Sequence, residues 1–422
     1  MEANKIKIVI VSPDNPFKKI KVGGKHIHIL NFYKALENKE FNVEVITFKK
    51  NISKTNPLAI FSYIKFKLFG NKLAFNLKQN SRFYFLINEI EEDLVKQIKN
   101  IINKSDSEEI FFIAEDIIAI HAINRAGVDQ KHTFSVIHGY FTFEALDMGS
   151  LIDNEDDLKY FYDYEKKGYA FCSKIVTVDS AIKDYLIKDM SVFSEKINVI
   201  YNAIDINEFK VDLKEKSKYK QEFFKKRNII TIPNLILIAR RLVNKNGVYY
   251  AVESMSHLRK IYSDTYKNTL MVICGDGPEK LSLVNLLEKE NLRNVILLGQ
   301  VDYDEIKNIY KAADIVIVPS IYTERKFAEA TSLAALEAMA SRSTVIVTKV
   351  GGLKEIVKDQ ITGFVIEDKS SIEIAKKMHF ILDLSAKEKI EAILDQAYQY
   401  VLQEHEYVKH SEKILSFFSI IK

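Results

Sequence analysis

The sequence predicts an α/β protein made of two doubly wound, parallel-sheet domains, and three observations predict it. Short runs rich in Ile and Val alternate with helix-like segments along the whole chain. The runs are continuously apolar, which is the pattern of strands buried on both faces of a parallel sheet. At 422 residues the chain is also too long for one ordinary core.

In the first half, "KIVIV" (7–11), "FNVEVITF" (41–48), "EIFFIA" (109–114), "FSVIH" (134–138) and "KIVTV" (174–178) read as strands. In the second, "LILIA" (235–239), "LMVIC" (270–274), "NVILLG" (294–299), "DIVIVPS" (314–320) and "TVIVT" (344–348) repeat the theme. The spacing places a domain boundary between "NVIYNAIDINEF" and "NLILIARRL", giving domains over 1–205 and 206–399. The charged stretch between them, "KVDLKEKSKYKQEFFKKRN", reads as a surface connector ending in a helix. Residues 400–422 form a terminal helix ending "FFSII". That end would not be left in water, so the helix is expected to pack back on the first domain.

Composition narrows the function. Hydrophobic residues make up 47% and charged residues 28%, which excludes a disordered chain. A net charge of +4 is too mild to indicate nucleic acid. Cys172 and Cys274 match no metal spacing, and so few thiols suit a reducing, cytoplasmic setting. The N-terminal apolar run ends at Ser12-Pro13, too short for a signal peptide, and no run reaches membrane-spanning length.

Several residues carry chemistry. The stretch "EATSLAALEAMASRS" (329–343) contains Glu329 and Glu337, and Glu337 sits inside the apolar run "LAALEAMA". On one continuous helix the two would lie ~80° apart. A carboxylate in such a run needs partners, because burying an unpaired charge is expensive. Arg241 and Lys245 follow "LILIA", which puts two cations at the carboxyl end of a parallel strand, where such sheets bind ligands. Gly23 and Gly24 precede a helix expected to begin near His28, and glycine there lets amides approach a phosphate. His138 ends a strand before Gly139. The "DYD" at 302–304 matches an Asp-x-Asp metal motif, but it directly precedes a helical segment, so Asp302 is expected to be an N-cap.

The motifs "GDGP", "LGQV", "AADIVIVPS", Glu-x7-Glu followed by "AMA", "VGG" and "TGFV" occur in that order. With "LILIARRLVNKNGV", "VIYNAIDINEF", "GGKHIH" and "VIHGYF", they make the chain resemble the retaining glycosyltransferases of the GT-B fold, family 4. The resemblance covers nearly the whole chain and is weakest over 49–110.

It implies two Rossmann-like domains facing each other across a cleft, the first for the acceptor and the second for the donor. It implies transfer of a hexose-type sugar from a nucleotide diphosphate donor, a UDP-sugar foremost, with retention and without a metal or other cofactor. The acceptor would be a glycan, a lipid-linked sugar or a protein. Glu329 would bind sugar hydroxyls and Glu337 the ribose. Arg241 and Lys245 would stabilise the departing diphosphate, and His138 would touch the transferred sugar. Gly24 would face the pyrophosphate. Backbone groups around Gly275, Gly277 and Val301 would read the base, with Thr331, Ser332 and Leu333 along the donor.

This sequence departs from the family at three places. Asn246 stands where the lysine preceding the glycine is expected. Ala330-Thr331-Ser332 replaces Gly-Phe-Gly, and the interval from Ser320 to Glu329 is long. The competing functions are a non-hydrolysing sugar-nucleotide epimerase, which needs acid/base carboxylates at the sugar, and a catalytically silent GT-B partner, which needs none of these side chains.

Residues 49–88 are explained least. Between Glu44 and Glu89 there is no acid, while Lys49, Lys50, Lys54, Lys65, Lys67, Lys72, Lys78 and Arg82 interleave with Phe61, Tyr63, Phe66, Phe69, Phe75, Phe83, Tyr84 and Phe85. That mixture suits reversible contact with an anionic membrane face, and equally a solvated loop in a lysine-rich chain.

Overall fold

A computed structural model of the chain describes residues 6–17, 23–49, 81–105, 109–147, 149–325 and 328–421. They form two compact units, one of residues 1–16, 32–200 and 411–422, the other of residues 17–31 and 201–410.

The first unit holds a six-stranded parallel sheet in the order β2-β1-β3-β4-β5-β6. Its strands are β1 (Ile6–Ser12), β2 (Asn42–Thr47), β3 (Glu109–Ala114), β4 (Thr133–Ile137), β5 (Lys174–Thr177) and β6 (Ile197–Val199). The order reverses between β1 and β3, as in a doubly wound sheet. Helix α1 (Gly24–Asn38), which enters this unit at Phe32, begins at Gly24, ahead of the expected start near His28. Gly23, at φ +89°, makes the turn into it.

Helix α2 (Ser81–Lys104) carries Tyr84 and Phe85 into the core, where Tyr84 and Phe83 pack on Phe161 of α3 (Glu155–Phe171). These three aromatics therefore serve packing, which corrects their assignment to a membrane-facing mixture. Residues 50–80 of that stretch lie outside the described residues.

The second unit repeats the plan, with six parallel strands in the order β12-β11-β10-β7-β8-β9. The strands are β7 (Asn234–Ala239), β8 (Thr269–Cys274), β9 (Val295–Gly299), β10 (Ile315–Val318), β11 (Thr344–Thr348) and β12 (Phe364–Ile366). Side-chain alternation divides them between two cores. Leu235, Leu237, Val316, Val318, Val345 and Val347 face one, while Ile236, Ile238, Ile315, Ile317 and Ile346 face the other. With both faces covered, period-2 alternation reads in the sequence as an unbroken apolar run.

The expected surface connector proves to be part of this core. Helix α4 (Lys216–Lys226) buries Phe223 and Phe224, and the Lys216 amine donates to Ser341 O (2.9 Å) and Ser343 Oγ (3.1 Å). Burial pushes that amine down to about 7.

At the end of the chain, Ala397 and Val401 of α5 (Lys387–Glu404) pack in the second unit, so the terminal segment that joins the first unit is 411–422. There Phe418 stacks on Phe134, and the Lys174 amine donates to Phe417 O (2.7 Å). Cys172 and Cys274 are free and buried, and burial pushes both thiols up to about 12. Among the described residues no helix is long and apolar enough to cross a membrane.

Candidate functional site

In the second unit the strand order reverses between β7 and β10, and ligands bind beyond the carboxyl ends of strands at such a reversal. The loops leaving those ends are stitched together. Arg240 N–H donates to Cys274 O (3.0 Å), Leu242 N–H to Asp276 O (3.0 Å), Gly275 N–H to Gly299 O (2.7 Å) and Ile321 N–H to Lys245 O (2.9 Å).

Two glycines show how tightly these loops meet. A Cβ on Gly275 would stand 1.8 Å from Arg240 O, and one on Gly351 (φ +48°) would stand 1.9 Å from Glu329 O. The "GDGP" and "VGG" motifs thus clear space for the backbones carrying Arg240 and Glu329.

Those two side chains form the centre of the site. Arg240 Nη1 donates to Glu329 Oε1 (2.7 Å), and Nη2 donates to Glu329 Oε2. Nη1 also donates to Ser332 Oγ (2.9 Å), and Nη2 to Asn246 Oδ1 (2.6 Å) and Ser320 Oγ (3.2 Å). Ser320 Oγ in turn donates to Glu329 Oε2 (2.6 Å). Burial alone would raise the Glu329 carboxyl; the adjacent guanidinium and the Ser320 hydroxyl outweigh it and hold it below its usual value.

Arg240 itself was missed by sequence reasoning, which singled out only the next residue, Arg241. The two arginines are indistinguishable by composition. Alternation along β7 could have separated them, since Arg241 is exposed while Arg240 turns inward.

Glu329 lies in the loop before helix α6 (Leu333–Ala340), and Glu337 lies within it. Ser332 occupies the N-cap position, and the Thr331 carbonyl accepts from Asn202 Nδ2 (3.0 Å), so the "NAID" motif braces this loop. Leu333 also meets α1, since a Cβ on Gly24 would lie 3.5 Å from it.

Glu337 is buried, and desolvation pushes its carboxyl up to about 7. The Tyr310 hydroxyl stands beside it without closing a bond of ordinary hydrogen-bond geometry. Val301 is partly buried against the same core, and Lys245 is half-buried near Glu329. Asp302 takes the N-cap position of α7 (Tyr303–Ala312), its carbonyl accepting from Ile306 N–H (3.0 Å).

The structure thus gathers Arg240, Glu329, Ser332 and Asn246 in direct contact, with Glu337 one step along the helix. His138 belongs to the first unit. There its Nε2 lies 2.7 Å from Glu115 Oε2, and Glu115, a fully buried residue just past β3, was also missed. Glu165 supports the turn that follows His138, accepting from Thr142 N–H (3.1 Å) and Thr142 Oγ1 (2.5 Å).

With this geometry in place, residues 219–399 match the family model of glycosyl transferases group 1. The chain is 30% identical over 221 residues to an uncharacterized glycosyltransferase of Methanocaldococcus jannaschii, covering 52% of this chain and 53% of that one. It is 30% identical over 239 residues to the UDP-Gal:alpha-D-GlcNAc-diphosphoundecaprenol alpha-1,3-galactosyltransferase of Escherichia coli, covering 55% of each. The match therefore spans about half the length of these curated relatives. The crystal structure of Anabaena HepE with UDP and glucose superposes with a TM-score of 0.65 at 17% identity, covering 99% of this chain and 100% of that one, a likeness of fold. Residues 219–399 therefore carry the similarity to glycosyl transferases group 1, and the two parallel sheets, one in each unit, give the chain the GT-B fold.

Proposed function

We propose that the chain transfers a hexose from a nucleotide diphosphate donor to an acceptor, with retention at the anomeric carbon and without a metal. The observation that carries this is the half-buried Glu329 carboxylate, clamped by Arg240 beyond the carboxyl ends of β7 and β10, inside the segment matching the family model. A carboxylate fixed there is a hydroxyl acceptor that cannot rotate away.

Arg241 and Lys245 extend from the same loop and would stabilise charge on the leaving diphosphate, while Glu337 would receive the ribose. Gly275, Gly277 and Val301 would frame the base, Thr331, Ser332 and Leu333 would flank the donor, and Gly24 would approach the pyrophosphate. His138, braced by Glu115, would contact the transferred sugar.

UDP is the first nucleotide to test, since the E. coli relative's name specifies UDP-Gal and HepE was crystallised with UDP. The relative's diphosphoundecaprenol acceptor favours a lipid-linked acceptor here. Reversible docking of basic residues between 49 and 82 on an anionic membrane fits such an acceptor. Co-sedimentation with anionic but not neutral vesicles tests it.

The function is tested by incubating the protein with labelled UDP-glucose, UDP-galactose, UDP-N-acetylglucosamine and GDP-mannose. Slow release of free sugar supports transfer chemistry. Epimerised nucleotide sugar would mean an epimerase, and no turnover or binding of any donor would overturn the proposal.

A further inference from the structure

Arg240 is a costly residue to bury. It is about nine-tenths buried, its Nε–H has no hydrogen-bond partner among the described residues, and its charge needs Glu329 to balance it. Replacing a buried ion pair by apolar residues is often neutral or stabilising, so stability alone does not account for this one. What the pair does is fix the carboxylate.

A carboxylate offers about four acceptor positions. Among the described residues, Glu329 Oε1 takes Arg240 Nη1, while Oε2 takes both Arg240 Nη2 and Ser320 Oγ. One position is left, on Oε1. Embracing a vicinal diol would need two.

Asn246 completes the arrangement. The resemblance expects lysine at this place, which would set a second cation against Arg240. Instead Asn246 Oδ1 accepts from Arg240 Nη2 (2.6 Å), and its Nδ2 donates to Arg241 O (2.8 Å). The departure at 246 and the arginine at 240 therefore form a matched pair.

We propose that Arg240 is a positioning residue for the donor sugar: it holds the Glu329 carboxylate in one orientation and leaves a single acceptor position, on Oε1, for one sugar hydroxyl. This rests on the glycosyl-transfer reading above. It assigns sugar discrimination to the pair and diphosphate binding to other groups.

The test compares binding of UDP with that of the UDP-hexose the wild type binds best. Arg240→Lys keeps the charge and loses the two-pronged fork. It should bind UDP within about threefold of wild type, yet lose roughly ten- to hundredfold in the extra affinity the sugar confers, with kcat falling accordingly. Thermal melting checks folding. If Arg240→Lys does not fold, the double variant Arg240→Met/Glu329→Met removes the pair without stranding a charge, and it should bind UDP with no preference for the sugar.

Singly deoxygenated UDP-hexoses then locate the contact. The deoxygenation penalty that vanishes in Arg240→Lys should belong to one ring position. Equal weakening of UDP and UDP-hexose, a retained sugar preference, or penalties vanishing at two adjacent positions would each overturn the inference. A wild type that binds no nucleotide sugar would overturn the transfer reading and this inference with it.

Discussion

His138 and Glu115 meet at the ends of neighbouring strands, Nε2 to Oε2 at 2.7 Å, with Glu115 fully buried. A buried carboxylate on one ring nitrogen fixes the imidazole's orientation and tautomer. If His138 contacts the transferred sugar, Glu115 acts through it. Glu115→Gln should lower kcat roughly ten- to hundredfold, the cost of one buried charge-assisted hydrogen bond, and leave the affinity for UDP unchanged. Steady-state kinetics with calorimetry for UDP would show it. Equal loss of both would assign Glu115 to folding instead.

From the sequence, Glu329 is expected only to bind sugar hydroxyls. Its pairing with Arg240 changes that expectation. Glu329→Ala strands a buried guanidinium and should cost about 3–5 kcal/mol in stability as well as abolishing transfer. Glu329→Gln retains an acceptor oxygen and should lose less stability while still losing nearly all turnover. Denaturant unfolding of the two variants beside their activities would separate the roles. An Ala variant as stable as wild type would show that the ion pair is weak.

Chelation is the third test. In the proposed reaction, Arg241 and Lys245, in the loop leaving β7, would supply the positive charge at the donor. Treatment with EDTA should therefore leave turnover unchanged, and added Mg²⁺ or Mn²⁺ should not raise it. Loss of activity restored by Mn²⁺ would reopen the Asp302–Asp304 motif as a metal site.

The strands were legible because both faces of each sheet are covered, so burial writes an unbroken run of Ile and Val into the sequence. The short strands β6 and β12 left too little pattern to see. Lys216 shows the opposite failure: a lysine in a charged stretch reads as surface, yet this amine is satisfied by Ser341 and Ser343, contacts that depend on a segment over a hundred residues away. At the site, Glu329 and Glu337 stood out as acids where the pattern is apolar. Arg240 and Glu115 did not, because each follows directly on a strand and looks like ordinary loop polarity. Alternation beyond β7 separates Arg240 from Arg241, but only the tertiary pairing with Glu329 shows what Arg240 does.

Glu337 makes the fourth prediction, and its sign can be worked out. The carboxyl is pushed up to about 7 chiefly by burial, with Glu208 raising it further and Lys307, Arg240 and the nearby Tyr310 hydroxyl lowering it. An acid raised in the folded state binds more protons there than in the unfolded chain. It therefore costs stability as pH climbs from its ordinary value through about 7. Ribose hydroxyls donate, so they favour the ionised carboxylate. Nucleotide affinity should thus rise between pH 6 and 8, by up to about tenfold if only the ionised form binds. Glu337→Gln should flatten that profile, bind UDP weakly at every pH, and unfold no more easily than wild type at pH 8. Calorimetric titration of UDP across this range is the measurement. An affinity that falls with pH, or a Gln variant that keeps the wild-type slope, would remove Glu337 from the ribose site.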